Sequence, residues 1–119
     1  MAEMNIIQAL NHTLHQQFAK EKRLVTFGED AGAFGGVFRV TSGLQEAFGE
    51  ERCFDTPLSE AGIIGFGIGM AQKGMMPVCE IQFADYIFPA YDQIVNELAK
   101  MRYRTGNQYA APLVIRTPY

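Results

Sequence analysis

The residues best suited to chemistry lie within positions 55–71. Glu60 stands at the head of the run Ala61-Gly62-Ile63-Ile64-Gly65-Phe66-Gly67-Ile68-Gly69-Met70. An acid at the start of a helix has an ordinary role, because the helix dipole and the free N–H groups favour negative charge there. It has a second role where the surroundings are apolar. Desolvation then raises the carboxyl pKa and makes the group useful in proton transfer. Ile63, Ile64, Phe66, Ile68 and Met70 supply such surroundings, so Glu60 is the candidate acid–base residue. The glycines beside it need a reason, since each costs a helix about 0.5–1 kcal/mol relative to alanine. Gly62, Gly65 and Gly69 recur at helical spacing and share a face that another backbone could approach closely. A glycine-rich loop is the alternative, and the large apolar residues between the glycines argue for a buried helix. Gly65-x-Gly67-x-Gly69 is a poor dinucleotide fingerprint: Met70 takes the third glycine position, and the glycines fall inside the helix rather than in the turn before it.

The elements that must hold Glu60 can be read from periodicity. Residues 4–19 place Ile6, Ile7, Leu10, Leu14 and Phe18 at helical spacing. Leu24-Val25-Thr26-Phe27 reads as a strand broken by Gly28-Glu29-Asp30, and Gly32, Gly35 and Gly36 loosen the loop beyond. Ser42 opens a short helix that Gly49 ends. Arg52-Cys53-Phe54-Asp55 is a second strand, followed by the glycine helix over 60–72, which Gly74 ends. Residues 77–83 form a third strand. A long helix over 89–103 carries Ile94, Val95, Leu98 and Met101, and Gly106 stops it. Leu113-Val114-Ile115 is the last strand.

Helices alternating with strands predict an α/β fold, a parallel sheet covered by helices. Ligands of such sheets bind at the carboxyl ends of the strands. Three loops fall there: 28–30, 56–60 and 82–86.

The composition excludes several function classes. Of 119 residues, 48% are hydrophobic and 19% charged, as in an ordinary globular interior. The net charge of −3, without runs of Lys or Arg, speaks against nucleic acid and membrane surfaces as partners. No apolar run reaches the roughly 20 residues of a membrane span, and no signal-peptide core or Arg-rich transit segment opens the chain. Cys53 and Cys79 are expected to be buried thiols in a reducing compartment. His12 and His15 are expected on the surface of the first helix.

Glu60, Gly65, Phe66, Gly69 and Met70 together resemble the Glu-x4-Gly-apolar-x-x-Gly-apolar motif of thiamine-diphosphate enzymes. Further runs extend the likeness over the whole chain: Phe27-Gly28-Glu29-Asp30, Phe34-Gly35-Gly36-Val37-Phe38-Arg39, Phe54-Asp55-Thr56-Pro57-Leu58, residues 80–88 and residues 92–104. With them, the chain resembles the beta subunit of 2-oxo acid dehydrogenase first components. It is closest to the branched-chain (2-oxoisovalerate) type, with the pyruvate type as the alternative.

The resemblance implies the pyrimidine-binding domain of transketolase-like thiamine-diphosphate enzymes, truncated. Residues 1–119 would be an incomplete domain, without the C-terminal transketolase-like domain. Glu60 would be catalytic, hydrogen-bonding the aminopyrimidine ring of thiamine diphosphate and promoting the tautomer that activates the thiazolium carbon. Leu58, Gln82 and Tyr86 would line the pyrimidine site, with Glu29 near it. Simple aromatic packing remains open for Tyr86. Backbone oxygens of Pro112, Val114 and Ile115 would hold a monovalent cation, potassium. Mg2+ and the cofactor's diphosphate would belong to an alpha subunit. A second beta subunit and a lipoyl transacylase would complete the partners.

The activity implied is oxidative decarboxylation of a 2-oxo acid with acyl transfer to lipoyl, and the chain alone would be inactive. A subunit-interaction module without turnover is the alternative. The expected location is the cytoplasm in a bacterium, or the mitochondrial matrix in a eukaryote.

Overall fold

A computed structural model describes residues 3–119 of the chain. Helix α1 (Ile6–Lys20) starts at Asn5, whose side chain accepts from the Gln8 N–H at 2.9 Å while Gln8 Oε1 accepts from the Asn5 N–H at 3.0 Å. This reciprocal pair satisfies two donors that a helix start otherwise leaves free. Strands β1 (Leu24–Gly28), β2 (Cys53–Asp55), β3 (Met76–Glu80) and β4 (Val114–Arg116) form one parallel sheet in the order β2-β1-β3-β4. β1 is flanked on both sides and buried along its whole length.

Strand alternation sorts the core into two layers. Val25, Phe27 and Cys79 pack with Ile63, Ile64 and Ile68 of α3 (Glu60–Gln72) on one face. Leu24, Cys53 and Val78 pack with Phe18 of α1 and Leu44 of α2 (Leu44–Phe48) on the other. Arg52 ties the second layer together. Its guanidinium donates to the carbonyls of Phe18, Glu21 and Leu24 and lies over the Phe18 ring at 4.7 Å.

The alternating order expected from sequence is present, with two differences. The third strand ends at Glu80, so Gln82 and Phe83 belong to the loop after it. The helix expected over 89–103 is broken into a 3-10 segment (Ala84–Ala90) containing Pro89, a π segment (Gln93–Leu98) and a short α4 (Met101–Arg104). Proline cannot donate to a helical ladder. The π turn, marked by the Ala99 N–H donating to the Ile94 carbonyl at 2.9 Å, adds a residue to the turn. Ile94, Leu98 and Met101 still reach the core; Val95 does not.

Of the glycines of α3, Gly62 and Gly69 are exposed and Gly67 is buried. The close approach is at Gly67, where a Cβ would collide with Cys79 Sγ on β3 and touch Phe27 and Leu113 at 3.6 Å. At Gly62 a Cβ would meet the chain's own Ser59, and at Gly65 it would meet Gln93. At Gly69 it would meet nothing among the described residues.

Candidate active site at the carboxyl end of the sheet

Adjacent parallel strands deliver their carboxyl ends to one edge, so the three expected loops are neighbours. The Thr56 N–H donates to the Gly28 carbonyl at 3.1 Å, joining the ends of β1 and β2. The Gly32 N–H donates to Asp55 Oδ1 at 2.6 Å. Gln82 Nε2 donates to Asp30 Oδ2 at 3.1 Å, joining the ends of β1 and β3.

The loop after β1 is held in a compact form rather than loosened by its glycines. Asp30, Gly35, Gly36 and Arg39 all take positive φ, and the Gly36 N–H closes back on the Asp30 carbonyl at 2.7 Å. Thr41 Oγ1 donates to the Ala31 carbonyl at 2.7 Å. From α1, Asn11 donates to the Val40 and Ser42 carbonyls, and His15 Nε2 lies 3.1 Å from the Ser42 carbonyl. His15 is therefore a partly buried loop anchor and not the surface residue expected, whereas His12 is exposed.

Two carboxyls stand at the centre of this edge. Glu29, directly after β1, is 7% exposed, and its Oε1 has no hydrogen-bond partner. Glu60 opens α3 and is 8% exposed. Burial pushes the Glu29 carboxyl above its ordinary range, and the charges of Glu60 and then Asp30 push it the same way. Thr56 Oγ1 is also buried without a partner. Orphaned buried polar atoms are rare in native folds and call for an explanation.

The other expected residues take different positions. Tyr86 lies in the 3-10 segment, 48% exposed, with its ring edge-on to Phe83 at 5.5 Å. Phe83 is edge-on in turn to Phe38 at 6.0 Å. Leu58 is 79% exposed on the loop between β2 and α3. An apolar hollow of about 340 Å³ lies beside that loop, lined by Phe54, Thr56, Pro57, Ser59 and Phe66. It includes none of the expected site residues.

Pro112, Val114 and Ile115 lie at the outer edge of the sheet. The Arg116 carbonyl accepts from the Ile81 N–H at 2.9 Å and so faces β3. By strand alternation Val114 turns its carbonyl the same way and Ile115 turns its own outward. Among the described residues no group of three His, Cys, Asp or Glu side chains could hold a metal ion.

Sequence reasoning missed one pair. Glu80, 2% exposed, makes a buried ion pair with Arg116 directly across β3 and β4. The signal was available: an acid at an inward position of an apolar strand, with an arginine closing the next strand.

Several curated proteins are similar along almost the whole chain. The 2-oxoisovalerate dehydrogenase subunit beta 2 of Arabidopsis thaliana is 59% identical over 98% of the chain and 32% of its own length. The 2-oxoisovalerate dehydrogenase subunit beta of Bacillus subtilis is 50% identical over 100% of the chain and 36% of its own. The pyruvate dehydrogenase E1 component subunit beta of Staphylococcus epidermidis is 46% identical over 100% of the chain and 37% of its own. The chain therefore spans about a third of the length of these relatives. Residues 2–119 match the pyrimidine-binding domain of transketolase. A parallel α/β sheet with a buried acid pair at its carboxyl edge, matched from end to end in this way, belongs to the transketolase pyrimidine-binding domain family.

Proposed function

We propose that this chain is the pyrimidine-binding part of a 2-oxo acid dehydrogenase beta subunit, acting with thiamine diphosphate on a branched-chain 2-oxo acid. The observation that carries this reading is the buried pair Glu29 and Glu60, with one carboxylate oxygen left unpartnered. Buried oxygens that lack partners within the chain suit a heteroaromatic ring bearing an amino group and ring nitrogens. Tyr86 and Leu58, both exposed, offer flat and apolar surface to such a ring. These residues fit the aminopyrimidine of thiamine diphosphate.

When bound, the cofactor supplies the electron sink for decarboxylation. The chain's own residues manage protons and position. Burial and the neighbouring charges raise the proton affinity of Glu29, so it holds a proton more readily than an exposed carboxyl does. Glu60, at the head of α3, would hold a ring nitrogen by a hydrogen bond. Gln82 braces Asp30 and keeps the loop carrying Glu29 in place.

Relatives named for 2-oxoisovalerate, at 59% and 50% identity, favour a branched-chain substrate over the pyruvate of the 46% relative. The remaining roles follow the same reading. The cofactor's diphosphate and its Mg2+ are held by an alpha subunit. Potassium would be held through backbone oxygens of Pro112, Val114 and Ile115. A second beta subunit would cover Gly62, Phe66 and Gly69, which are exposed along α3. Acyl transfer would go to lipoyl on a transacylase.

The test is the full-length subunit assembled with its alpha partner, assayed for thiamine diphosphate binding and for decarboxylation of 2-oxoisovalerate against pyruvate. The reading expects binding by the assembly and a higher kcat/KM for 2-oxoisovalerate. Absence of cofactor binding would overturn it.

A further inference from the structure

Glu80 is the most deeply buried acid in the described chain, and the proposed chemistry does not use it. Burying an ion pair rarely stabilises a fold beyond what apolar side chains would give, so its presence invites another role. The surroundings of Glu80 supply one. Its own Cβ lies 2.9 Å from where a side chain on Gly28 would begin, so only glycine fits beside it on β1. Its Oε1 lies 3.0 Å from the corresponding point on Gly36, a residue at φ 78°. Thr41 Oγ1, 3.4 Å from the same point, shares this space. The other carboxylate oxygen is held by Arg116 of β4.

Glu80 therefore lies close beside both ends of the segment 28–36, and Glu29 and Asp30 sit between those ends. The Gly36 N–H returns to the Asp30 carbonyl, so support beneath Gly36 is passed directly to the residue beside Glu29.

We propose that Glu80 is a positioning residue: the bulk of its side chain, packed close beside Gly28 and Gly36, supports segment 28–36 and sets where Glu29 and Asp30 present their carboxyls. The consequence for cofactor binding rests on the reading of Glu29 given above.

Two double variants of the full-length subunit, assembled with its alpha partner, separate this role from plain stability. Glu80→Gln with Arg116→Met removes both charges and keeps the bulk beneath the loop. Glu80→Ala with Arg116→Met removes the charges and the bulk. Neither leaves a buried unpaired ion. Hydrogen exchange of the amides at 29–36 is read by mass spectrometry, together with the dissociation constant for thiamine diphosphate.

The Gln pair is expected to match the parent protein in both readouts. The Ala pair is expected to exchange about tenfold faster at 29–36 only, with β3 and β4 amides unchanged, and to bind the cofactor about tenfold more weakly. Equal exchange at 29–36 in the two double variants would overturn the proposal, as would acceleration spread evenly over β3 and β4. Faster local exchange with unchanged affinity would support the prop and overturn the cofactor role of Glu29. Should the Ala pair fail to assemble, Glu80→Asp keeps the charge but withdraws it from Gly36. It must then show the same local acceleration, and its absence would sink the proposal.

Discussion

Two glycines in one helix should respond to alanine with opposite signs. Gly67 and Gly69 lie two residues apart in α3, and neither takes a positive φ. Alanine therefore gains about 1 kcal/mol of helix propensity at either position. At Gly69 nothing lies within 4 Å of the added methyl, so an isolated chain should keep most of that gain, about 0.5–1 kcal/mol. At Gly67 the methyl enters the core against Cys79 Sγ, with Phe27 and Leu113 already at contact distance. Cys79 is fully buried, so its sulfur has little room to rotate away. Overpacking of this kind costs about 1–3 kcal/mol and exceeds the propensity gain in most of that range. The combination Gly67→Ala with Cys79→Ala should recover stability, because the new methyl then fills space the sulfur vacates. Denaturant unfolding of the parent, Gly67→Ala, Cys79→Ala and the double variant gives the coupling energy directly. If Gly67→Ala stabilised as much as Gly69→Ala, with no coupling to Cys79, the packing of α3 on β3 described here would be wrong.

Other expectations follow from the buried charges. Glu29→Gln should stabilise the protein at neutral pH. The native carboxyl has a pKa above its unfolded value near 4.5, so the folded state binds the proton more tightly. Stability is then fully present below pH 4.5 and falls as pH rises through the native pKa; melting curves from pH 4 to 8 should lose that slope in the variant. Arg116→Met should destabilise by about 3–5 kcal/mol, because it strands Glu80 without a partner in the core. That loss should be greatest at high pH, where Glu80 has no proton, and urea titration at two pH values reads it. Cys53 and Cys79 should resist iodoacetamide until the protein unfolds, since burial pushes both thiols up to about 12. Rapid alkylation of either under native conditions would contradict their burial.

The sheet was legible because each of its strands is bounded by glycine, proline or a polar loop, and because α2 and α3 stop at Gly49 and Gly74. The fourth helix was not. Its apolar spacing at Ile94, Leu98 and Met101 is helical, but a π turn and Pro89 restart the phase, and periodicity alone does not register a one-residue insertion. Glu60 stood out through its apolar neighbours, and Gln82 and Tyr86 through the family likeness. The structure adds what each touches: Gln82 on Asp30, and Tyr86 on Phe83. Sequence shows neighbours only along the chain, so the burial and nearby charges that raise the pKa of Glu29 were not legible in it. The glycines of α3 were legible only in part. Helical spacing identifies which glycines share a side but not which side meets the sheet, and Gly67 is the one that does.

The central claim is that the Glu60 carboxylate takes part in cofactor chemistry rather than merely capping α3. The most direct test is Glu60→Gln in the full-length beta subunit assembled with its alpha partner. The measurement is single-turnover decarboxylation of 2-oxoisovalerate, with assembly checked by native mass spectrometry. Glutamine is nearly isosteric and can still occupy the helix start, so the account predicts an intact assembly with decarboxylation reduced by about 10²-fold or more. An intact assembly that turns over at near-normal rate would contradict it.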